Sequence, residues 1–108
     1  MTKKTKKILI AATIFMMLLS GSIFTLDQNY PNPFNPSTQI RFSVQRSGIV
    51  SLRVFDILGK EVVTLVNENL NVGSYETDFN ATGLASGAYF YRLQSSGFVE
   101  TKRMVLLR

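Results

Sequence analysis

Thr38–Gln45 reads TQIRFSVQ, and its apolar residues occupy every second position. In an extended chain Ile40, Phe42 and Val44 would lie on one face, and the polar residues between them would lie on the other. A period of two residues is typical of a β-strand with one buried face. We therefore predict a strand here and expect the rest of the domain to be built on the same plan.

Similar segments follow downstream, separated by short polar stretches. The alternation recurs in Ile49–Ile57, Ser74–Asn80 and Ala88–Ser95, and Phe98–Leu107 completes the series. Glu61–Val66 (EVVTLV) is different, because its apolar residues stand next to one another. This segment is rich in β-branched residues and is predicted to be a strand, but its pattern leaves the inward face open.

Turn signals separate these segments at regular intervals. Glycines recur every 10 to 14 residues, at Gly48, Gly59, Gly73, Gly83 and Gly97. Short strands with this spacing predict an antiparallel β-sandwich or a closed barrel, and we expect the sandwich. The count is six strands, or seven if Phe24–Asn29 also pairs. Residues 67–73 are expected to form a polar loop, and Leu84 to cover the end of the core.

The N-terminus has a different composition. Met1–Lys7 (MTKKTKK) is basic, Ile8–Leu19 is apolar except for Thr13, and Ser20-Gly21-Ser22 is a run of small residues. This order is typical of a secretory signal peptide, which we expect to be helical, to span residues 1–22 and to be cleaved after Ser22. Twelve apolar residues would span about 18 Å as a helix, short of a bilayer core of about 30 Å. An uncleaved anchor, lengthened by the apolar residues at 23–26, remains the alternative.

All three prolines of the chain lie between the leader and the first clear strand, in Tyr30–Pro36 (YPNPFNP). Proline lacks a backbone N–H and biases the preceding residue towards an extended conformation. We therefore predict an extended, proline-rich lead-in over residues 23–36 and a β-sandwich over residues 37–108. The spacing of Pro33 and Pro36 also matches a PxxP peptide ligand, although a stiff lead-in is the simpler interpretation.

Charge and composition exclude several classes of function. The formal charge of +5 comes largely from four lysines in the first seven residues, and removal of residues 1–22 leaves eight basic and seven acidic residues. A net charge of +1 without a basic cluster argues against a nucleic-acid partner. The absence of cysteine and histidine excludes thiolate chemistry, zinc knuckles and Ser-His-Asp sites. We expect no catalytic residue, no metal and no cofactor, and contact with a membrane only through the signal peptide.

Four stretches carry a family resemblance. They are Gln28–Ile40 (QNYPNPFNPSTQI), Val54–Val66 (VFDILGKEVVTLV), Gly83–Leu93 (GLASGAYFYRL) and Glu100–Arg108 (ETKRMVLLR). In this order and spacing they resemble the type A C-terminal sorting domain of the type IX secretion system, which is found on secreted proteins of Bacteroidetes-like Gram-negative bacteria. The resemblance begins at about residue 27 and covers essentially all of the chain after the predicted leader.

The resemblance implies a fold and a route. The fold would be a seven-stranded immunoglobulin-like sandwich. The general secretory machinery would carry the chain into the periplasm, and an outer-membrane translocon would then recognise the folded domain. A sortase-type peptidase usually removes the domain, and the passenger is released or joined to surface lipopolysaccharide. Family members normally carry a passenger before the domain, whereas here only Ile23–Leu26 separate it from the predicted leader.

The resemblance also implies that the last strand and the terminal basic residues matter for recognition. The matching residues are Lys102, Arg103, Met104, Val105, Leu106, Leu107 and Arg108. We therefore expect a non-enzymatic secretion signal that directs export to the cell surface or the medium. The alternative is an immunoglobulin-like binding or structural module that stays in the periplasm or on the surface. Tyr89 and Tyr91 could form a carbohydrate platform in such a module, but we expect them in the core.

Overall fold

The computed structural model of the protein describes residues 8–11 and 24–108. Within these ranges the chain forms eight β-strands: β1 (Ile8–Ala11), β2 (Thr25–Leu26), β3 (Ser37–Val44), β4 (Gly48–Phe55), β5 (Glu61–Leu70), β6 (Gly73–Asn80), β7 (Gly87–Ser95) and β8 (Phe98–Leu106). No helix long and apolar enough to cross a membrane occurs among these residues. The prediction of an all-β domain is confirmed.

The strands form two antiparallel sheets. One sheet has the order β1-β6-β3-β2 and the other has the order β5-β4-β7-β8. The chain crosses between the sheets after β3, β5 and β6, which makes the domain an immunoglobulin-like sandwich rather than a closed barrel. Seven of the strands lie between Thr25 and Leu106, the upper limit of the predicted range.

The first strand belongs to the predicted leader. Ile8–Ala11 pairs antiparallel with β6, in a register that runs from Ile8 opposite Thr77 to Ala11 opposite Ser74. These four residues therefore form a strand where the sequence predicts a signal-peptide helix. The rest of the leader, including the expected cleavage position after Ser22, lies outside the described residues.

The core is made by the alternating residues that the sequence identifies. The predicted inward residues of β3, β4 and β7 are buried, as are Tyr75 and Phe79 of β6, and the core also includes Met104 and Leu106 of β8. Leu84 is half-buried and packs against this cluster. The sandwich is held chiefly by apolar burial, because alternate side chains of both sheets meet between them.

Two β-bulges explain why the inward face of β5 could not be deduced. Leu52 pairs with Val66 and Arg53 pairs with Thr64, so Leu65 is an extra residue in β5. A second extra residue occurs closer to the start of the strand, at Val62. Each bulge lets consecutive apolar residues face inward, and Leu65 and Val66 are both buried.

Strand β5 also extends further than the sequence predicts. Most of the expected polar loop at residues 67–73 is strand, since β5 ends at Leu70 and β6 begins at Gly73. Leu70 is buried, whereas Asn67 and Asn69 point away from the core. The polar residues at the end of β5 therefore led to the prediction of a loop, although the strand continues there with one apolar side.

The lead-in is packed into the sandwich. Leu26 is buried, and Phe34, between two of the prolines, is only 2% exposed. The ring centroid of Phe34 lies 5.9 Å from that of Phe79, with the planes tilted by 56°. Residues 24–36 of the lead-in thus contribute side chains to the core although most of them lie outside regular strands.

Replacing Phe34 by alanine tests this packing. Phe34→Ala should lower the free energy of unfolding by about 3–5 kcal/mol, because a buried aromatic ring is lost and a cavity remains. Urea unfolding of the full chain measures the effect. Leu58→Ala is the control, since Leu58 is 89% exposed and its removal should change stability by less than about 0.5 kcal/mol. Equal stability of the two variants would contradict a structural role for the lead-in.

Candidate functional site

Strand β8, the predicted recognition element, is an edge strand whose position is set by a tight hairpin. It pairs with β7 along its whole length, from Phe98 opposite Ser95 to Leu106 opposite Gly87. The two residues between the strands, Ser96 and Gly97, have φ angles of 47° and 83°. Two consecutive left-handed residues are typical of a type I′ turn, which fixes the register of the strands it joins.

Six of the seven residues predicted for recognition fall into two groups by their burial. Met104 and Leu106 have no exposed surface and belong to the core. Arg103, Leu107 and Arg108 are exposed, and Val105 is half-buried. Met104 and Leu106 therefore anchor the strand in the folded domain, and a partner could reach only the exposed side chains.

Lys102 and Arg103 lie on opposite faces of the strand. Lys102 has the core-side orientation of Met104, since it lies opposite the buried Tyr91 in the β7–β8 register. Its Nζ atom is 3.5 Å from the Glu100 carboxylate, and both side chains are partly exposed at the rim of the sandwich. Inward charges on an edge strand hinder pairing with a foreign strand. This geometry supports a protective role for the Lys102 charge at the edge of the sheet.

The outer edge of β8 is covered by part of the lead-in, residues 28–34, which we call the clip. The Phe34 N–H donates to the Val105 carbonyl at 2.9 Å, and the Leu107 N–H donates to the Phe34 carbonyl at 3.0 Å. Phe34 thereby forms a parallel bridge with Leu106. Backbone groups that an edge strand would leave open are satisfied here by the chain itself.

Two side chains extend the clip along the strand. The Asn32 amide oxygen accepts a hydrogen bond from the Val105 N–H at 3.0 Å. The Gln28 amide nitrogen donates to the Arg103 carbonyl at 2.7 Å. Because a side-chain amide carries the same donor and acceptor types as a peptide group, these residues act as substitutes for a neighbouring strand.

The last residue is held separately. The Arg108 N–H donates to the Ser86 hydroxyl at 3.0 Å, and the Arg108 guanidinium contacts the Leu84 carbonyl. Both partners lie in the loop between β6 and β7. The side chain of Leu107, between these anchored residues, is 53% exposed. The end of the chain is therefore ordered while it presents apolar and basic groups to solvent.

A buried polar network fixes the clip to the core. The Asn29 N–H donates to the Tyr91 hydroxyl at 2.7 Å, and that hydroxyl donates to the Asp27 carbonyl at 2.7 Å. The Asn29 side-chain amide donates to the Pro31 carbonyl at 3.1 Å and to the Thr38 hydroxyl at 3.0 Å. Asn29 and Thr38 are each 2% exposed. Buried polar groups that find partners in this way specify one arrangement of the backbone.

Burial has the largest effect on the pKa of the Tyr91 phenol. It raises the pKa of Tyr91 to about 12, and the negative charges of Asp27 and Glu100 act in the same direction. The hydrogen bond from the Asn29 N–H opposes the rise in pKa. Tyr91 and Tyr89 are both buried, so they are core residues and do not form the carbohydrate platform considered above.

The outward face of the β5-β4-β7-β8 sheet is basic and aromatic beside the terminal strand. The Arg92 guanidinium lies 4.4 Å from the centroid of the Phe55 ring. Arg53 is directly opposite Arg92 in the β4–β7 register, and Arg103 is opposite Phe90 in the next pair of strands. Like charges placed opposite each other cost stability. Arg53 lies 3.7 Å from the Glu61 carboxylate, so Arg92 and Arg103 are the basic groups that this surface offers to a partner with acidic and apolar groups.

The site offers exposed side chains and an ordered strand as contacts for recognition. Among residues 24–108 and 8–11, no group of three acidic side chains is placed to hold a metal ion. Burial also raises the pKa of Tyr75, whose hydroxyl donates to the Asn71 carbonyl at 2.7 Å. Burial is therefore the largest cause of the raised pKa of both tyrosines, and the backbone hydrogen bond of each opposes it.

The sequence did not identify the residues that position the strand. The sequence places Gln28, Asn29 and Asn32 only in a lead-in and a family pattern, and it places Thr38 in the first predicted strand. The available signal is the group of amide side chains before and between the prolines, where the backbone itself provides fewer donors. Asparagine at such positions often replaces a missing backbone partner.

One known family matches this chain. The family model described as the secretion system C-terminal sorting domain matches residues 28–107, which is most of the chain. The matched region begins at the first residue of the clip and includes nearly all of the terminal strand and tail. No curated protein matches the chain.

Removing the Tyr91 hydroxyl tests the buried network. Tyr91→Phe leaves the Asn29 N–H without its acceptor and should cost about 1–3 kcal/mol of unfolding free energy at neutral pH. Tyr30→Phe, at a side chain that is 80% exposed, should be neutral.

The pH dependence of stability provides a second measurement. The pKa of Tyr91 is raised in the folded state to about 12. The contribution of the Tyr91 phenol to the free energy of unfolding is therefore complete below the unfolded pKa of about 10. The contribution is lost as the pH rises from about 10 to about 12. Urea unfolding at pH values on both sides of 10 should therefore show a difference between wild type and Tyr91→Phe that shrinks at alkaline pH. A constant difference would contradict the assignment.

Hydrogen exchange tests the clip. Asn32→Ala removes the acceptor of the Val105 N–H, so exchange of this amide should accelerate by about tenfold while global stability falls by less than about 1.5 kcal/mol. Asn69→Ala, at an exposed position of β5, is the matched control. Unchanged protection of Val105 in Asn32→Ala would show that the amide is protected by other means.

Proposed function

This chain belongs to the family of secretion system C-terminal sorting domains, and we propose that the exposed face of its terminal strand and tail is what the export machinery recognises. The domain is a C-terminal sorting signal of the type IX secretion system, and it implies export to the cell surface or the extracellular space. The family is non-enzymatic. The recognition residues are Arg103, Val105, Leu107 and Arg108.

The observation that carries the proposal is the ordered presentation of an edge strand. Asn32 and Phe34 hold the strand through Val105 and Leu107, and the side chains that point outward are basic or apolar. A rigid surface loses little conformational entropy when it binds. The partner is the outer-membrane translocon, through a surface with apolar and acidic side chains.

The buried members of the predicted site have an indirect role. Met104 and Leu106 lie in the core and keep the outward residues in register. Lys102, paired with Glu100, keeps the rim of the strand from unspecific pairing. In this proposal, loss of Met104 or Leu106 would affect export through the fold, and loss of Lys102 would affect it through unspecific pairing of the edge.

The route includes two processing steps. A signal peptide at residues 1–22 directs the chain to the general secretory machinery and is cleaved after Ser22. The mature chain then consists of the lead-in at 23–36 and the sandwich at 37–108, and it passes through the periplasm as a folded domain. A sortase-type peptidase acts after translocation. The chain itself has no enzymatic activity in this proposal.

A secretion assay tests the recognition face. Residues 23–108 are fused behind a secreted reporter, and export is compared in a host with the type IX system and in a derivative without the translocon. A triple variant combines Arg103→Glu, Leu107→Asp and Arg108→Glu and so replaces three exposed basic or apolar side chains by acidic ones. It should lower reporter export by about tenfold, a loss of roughly 1.4 kcal/mol of binding free energy. Deletion of residues 99–108 would be less informative because it removes Met104 and Leu106 from the core.

Arg46→Glu is the matched control for charge, since Arg46 is exposed in the turn between β3 and β4, outside strand β8 and the tail. This variant should be exported like wild type, and the triple variant should melt within a few degrees of it. Export that is independent of the translocon would refute the sorting function. Normal export of a folded triple variant would refute the recognition face alone, and retention of intact wild-type domain in the periplasm would favour the binding-module alternative.

A further inference from the structure

The outer face of the β1-β6-β3-β2 sheet carries a row of three side chains at the end where β3 begins. Tyr30 pairs with Gln39 through an antiparallel bridge, and Gln39 lies opposite Asp78 in the β3–β6 register. Directly opposed residues of antiparallel strands have their side chains on the same face. Thr38 and Phe79, which alternate with them along the strands, are buried, so this face points away from the core. An aromatic ring, an amide and a carboxylate therefore stand side by side on the outside of the domain.

A second row widens this face into a groove. Ser37 lies opposite Asn80 in the β3–β6 register. Each is two residues along its strand from Gln39 or Asp78, so all four polar side chains share the outer face. Together with Tyr30 they line a surface groove of about 690 Å³, which we call the Tyr30 groove. This volume is within the range of roughly 300–1,000 Å³ that small-molecule sites occupy.

Tyr30 is fixed at its backbone, whereas its side chain is open to solvent. Its N–H donates to the Gln39 carbonyl, and its carbonyl accepts a hydrogen bond from the Gln39 N–H, both at 3.0 Å. The next carbonyl, that of Pro31, accepts hydrogen bonds from the Asn29 side chain at 3.1 Å and from the Thr38 hydroxyl at 2.8 Å. The Tyr30 side chain is nevertheless 80% exposed. A tyrosine ring on a fixed backbone loses little conformational entropy when a ligand packs against it.

The polar side chains of the groove are oriented by hydrogen bonds that use only part of their capacity. The Gln39 amide nitrogen donates to Asp78 Oδ1 at 3.2 Å, and this pair also has the Gln39 amide oxygen and the second carboxylate oxygen as acceptors. The Asn80 amide oxygen accepts hydrogen bonds from the Thr82 N–H at 2.9 Å and the Thr82 hydroxyl at 2.6 Å. The NH₂ group of Asn80 is thus the donor that it offers to a ligand. The groove therefore presents both acceptors and a donor beside the aromatic ring.

The charge of the groove limits the class of ligand. Among the described residues, its lining contains one acidic side chain, Asp78, and no basic one. The next row of the same face is the ion pair of Arg41 with Glu76, whose charges compensate each other at 3.2 Å. A negatively charged ligand, such as a nucleotide or a uronic acid oligomer, would meet the Asp78 carboxylate without a cation to offset the repulsion. A neutral ligand rich in hydroxyl groups fits better.

We propose that the Tyr30 groove binds a neutral saccharide. One face of a pyranose ring consists of C–H groups, which pack on the face of an aromatic ring such as that of Tyr30. Its hydroxyl groups both donate and accept hydrogen bonds, so they match the acceptors of Asp78 and Gln39 and the donor of Asn80. The sheet that carries the groove does not contain β8, so saccharide binding is an activity beyond the proposed sorting function.

Titration with oligosaccharides tests the proposal. The purified full chain is titrated by calorimetry with short neutral oligomers of glucose, mannose, xylose or N-acetylglucosamine, and with oligogalacturonate as the charged counterpart. We expect at least one neutral oligomer to bind with a Kd below about 1 mM and oligogalacturonate to bind at least about tenfold more weakly. Failure of every neutral oligomer to bind at about 10 mM, or tighter binding of oligogalacturonate, would overturn the proposal.

Substitutions in the groove locate the bound saccharide. Tyr30→Ala removes the stacking surface and should weaken binding by at least about tenfold, whereas Tyr30→Phe keeps the ring and should bind within about threefold of wild type. Asp78→Ala removes an acceptor and should weaken binding by about fivefold. Leu58→Ala is the control, because Leu58 is 89% exposed in the turn between β4 and β5 of the other sheet. Equal affinity of Tyr30→Ala and wild type would show that the saccharide binds elsewhere and would overturn the assignment of the groove.

Melting temperatures and chemical shifts separate binding from folding. Tyr30→Ala should melt within a few degrees of wild type, because the side chain is exposed and its backbone hydrogen bonds are kept. Amide chemical shifts of the wild-type chain need no substitution and decide the matter if the variant is unstable. The neutral saccharide should shift the resonances of Tyr30, Gln39 and Asp78 and leave those of β8 unchanged. Shifts confined to β8 or to its neighbours on the same sheet would overturn the inference.

Discussion

The Tyr91 hydroxyl, buried between the two sheets, is the contact on which the presentation of the terminal strand depends. It accepts a hydrogen bond from the Asn29 N–H and donates one to the Asp27 carbonyl, so it ties an irregular segment to the central strand β7. That segment continues into the clip, where Asn32 and Phe34 hold the outer edge of β8. The recognition face is thus built on a polar contact inside the core and on apolar packing of Phe34 against Phe79.

Much of the fold could be predicted because most strands obey a single rule. Ile40, Phe42 and Val44 are all buried, as the period of two residues requires. The rule failed in β5, where two bulges let neighbouring residues such as Leu65 and Val66 face inward together. A bulge depends on how a strand pairs with its neighbour, and a local pattern in one strand does not contain that information.

The candidate site was predictable in its location and less so in its detail. The family resemblance pointed to residues 102–108, but the run Met104–Leu107 is apolar at every position and gives no period from which to separate core from surface. The pairing with β7 makes the separation, because Met104 lies opposite the buried Tyr89. The roles of Gln28 and Asn32 depend on contacts with residues more than 70 positions away, which no local motif encodes.

The clip joins the two ends of the sorting domain. Gln28 and Asn32 reach β8 across sequence separations of 75 and 73 residues, so their contacts are among the most non-local of the fold. Closing such long loops is slow and comes at an entropic cost, and it requires both ends of the chain to be present. A chain that leaves the ribosome before Val105 is made lacks the strand residues that Asn32 and Phe34 contact. The terminal strand is therefore ordered only in a domain that has been synthesised past Leu107 and has folded. Its ordered form distinguishes a finished domain from an unfinished one.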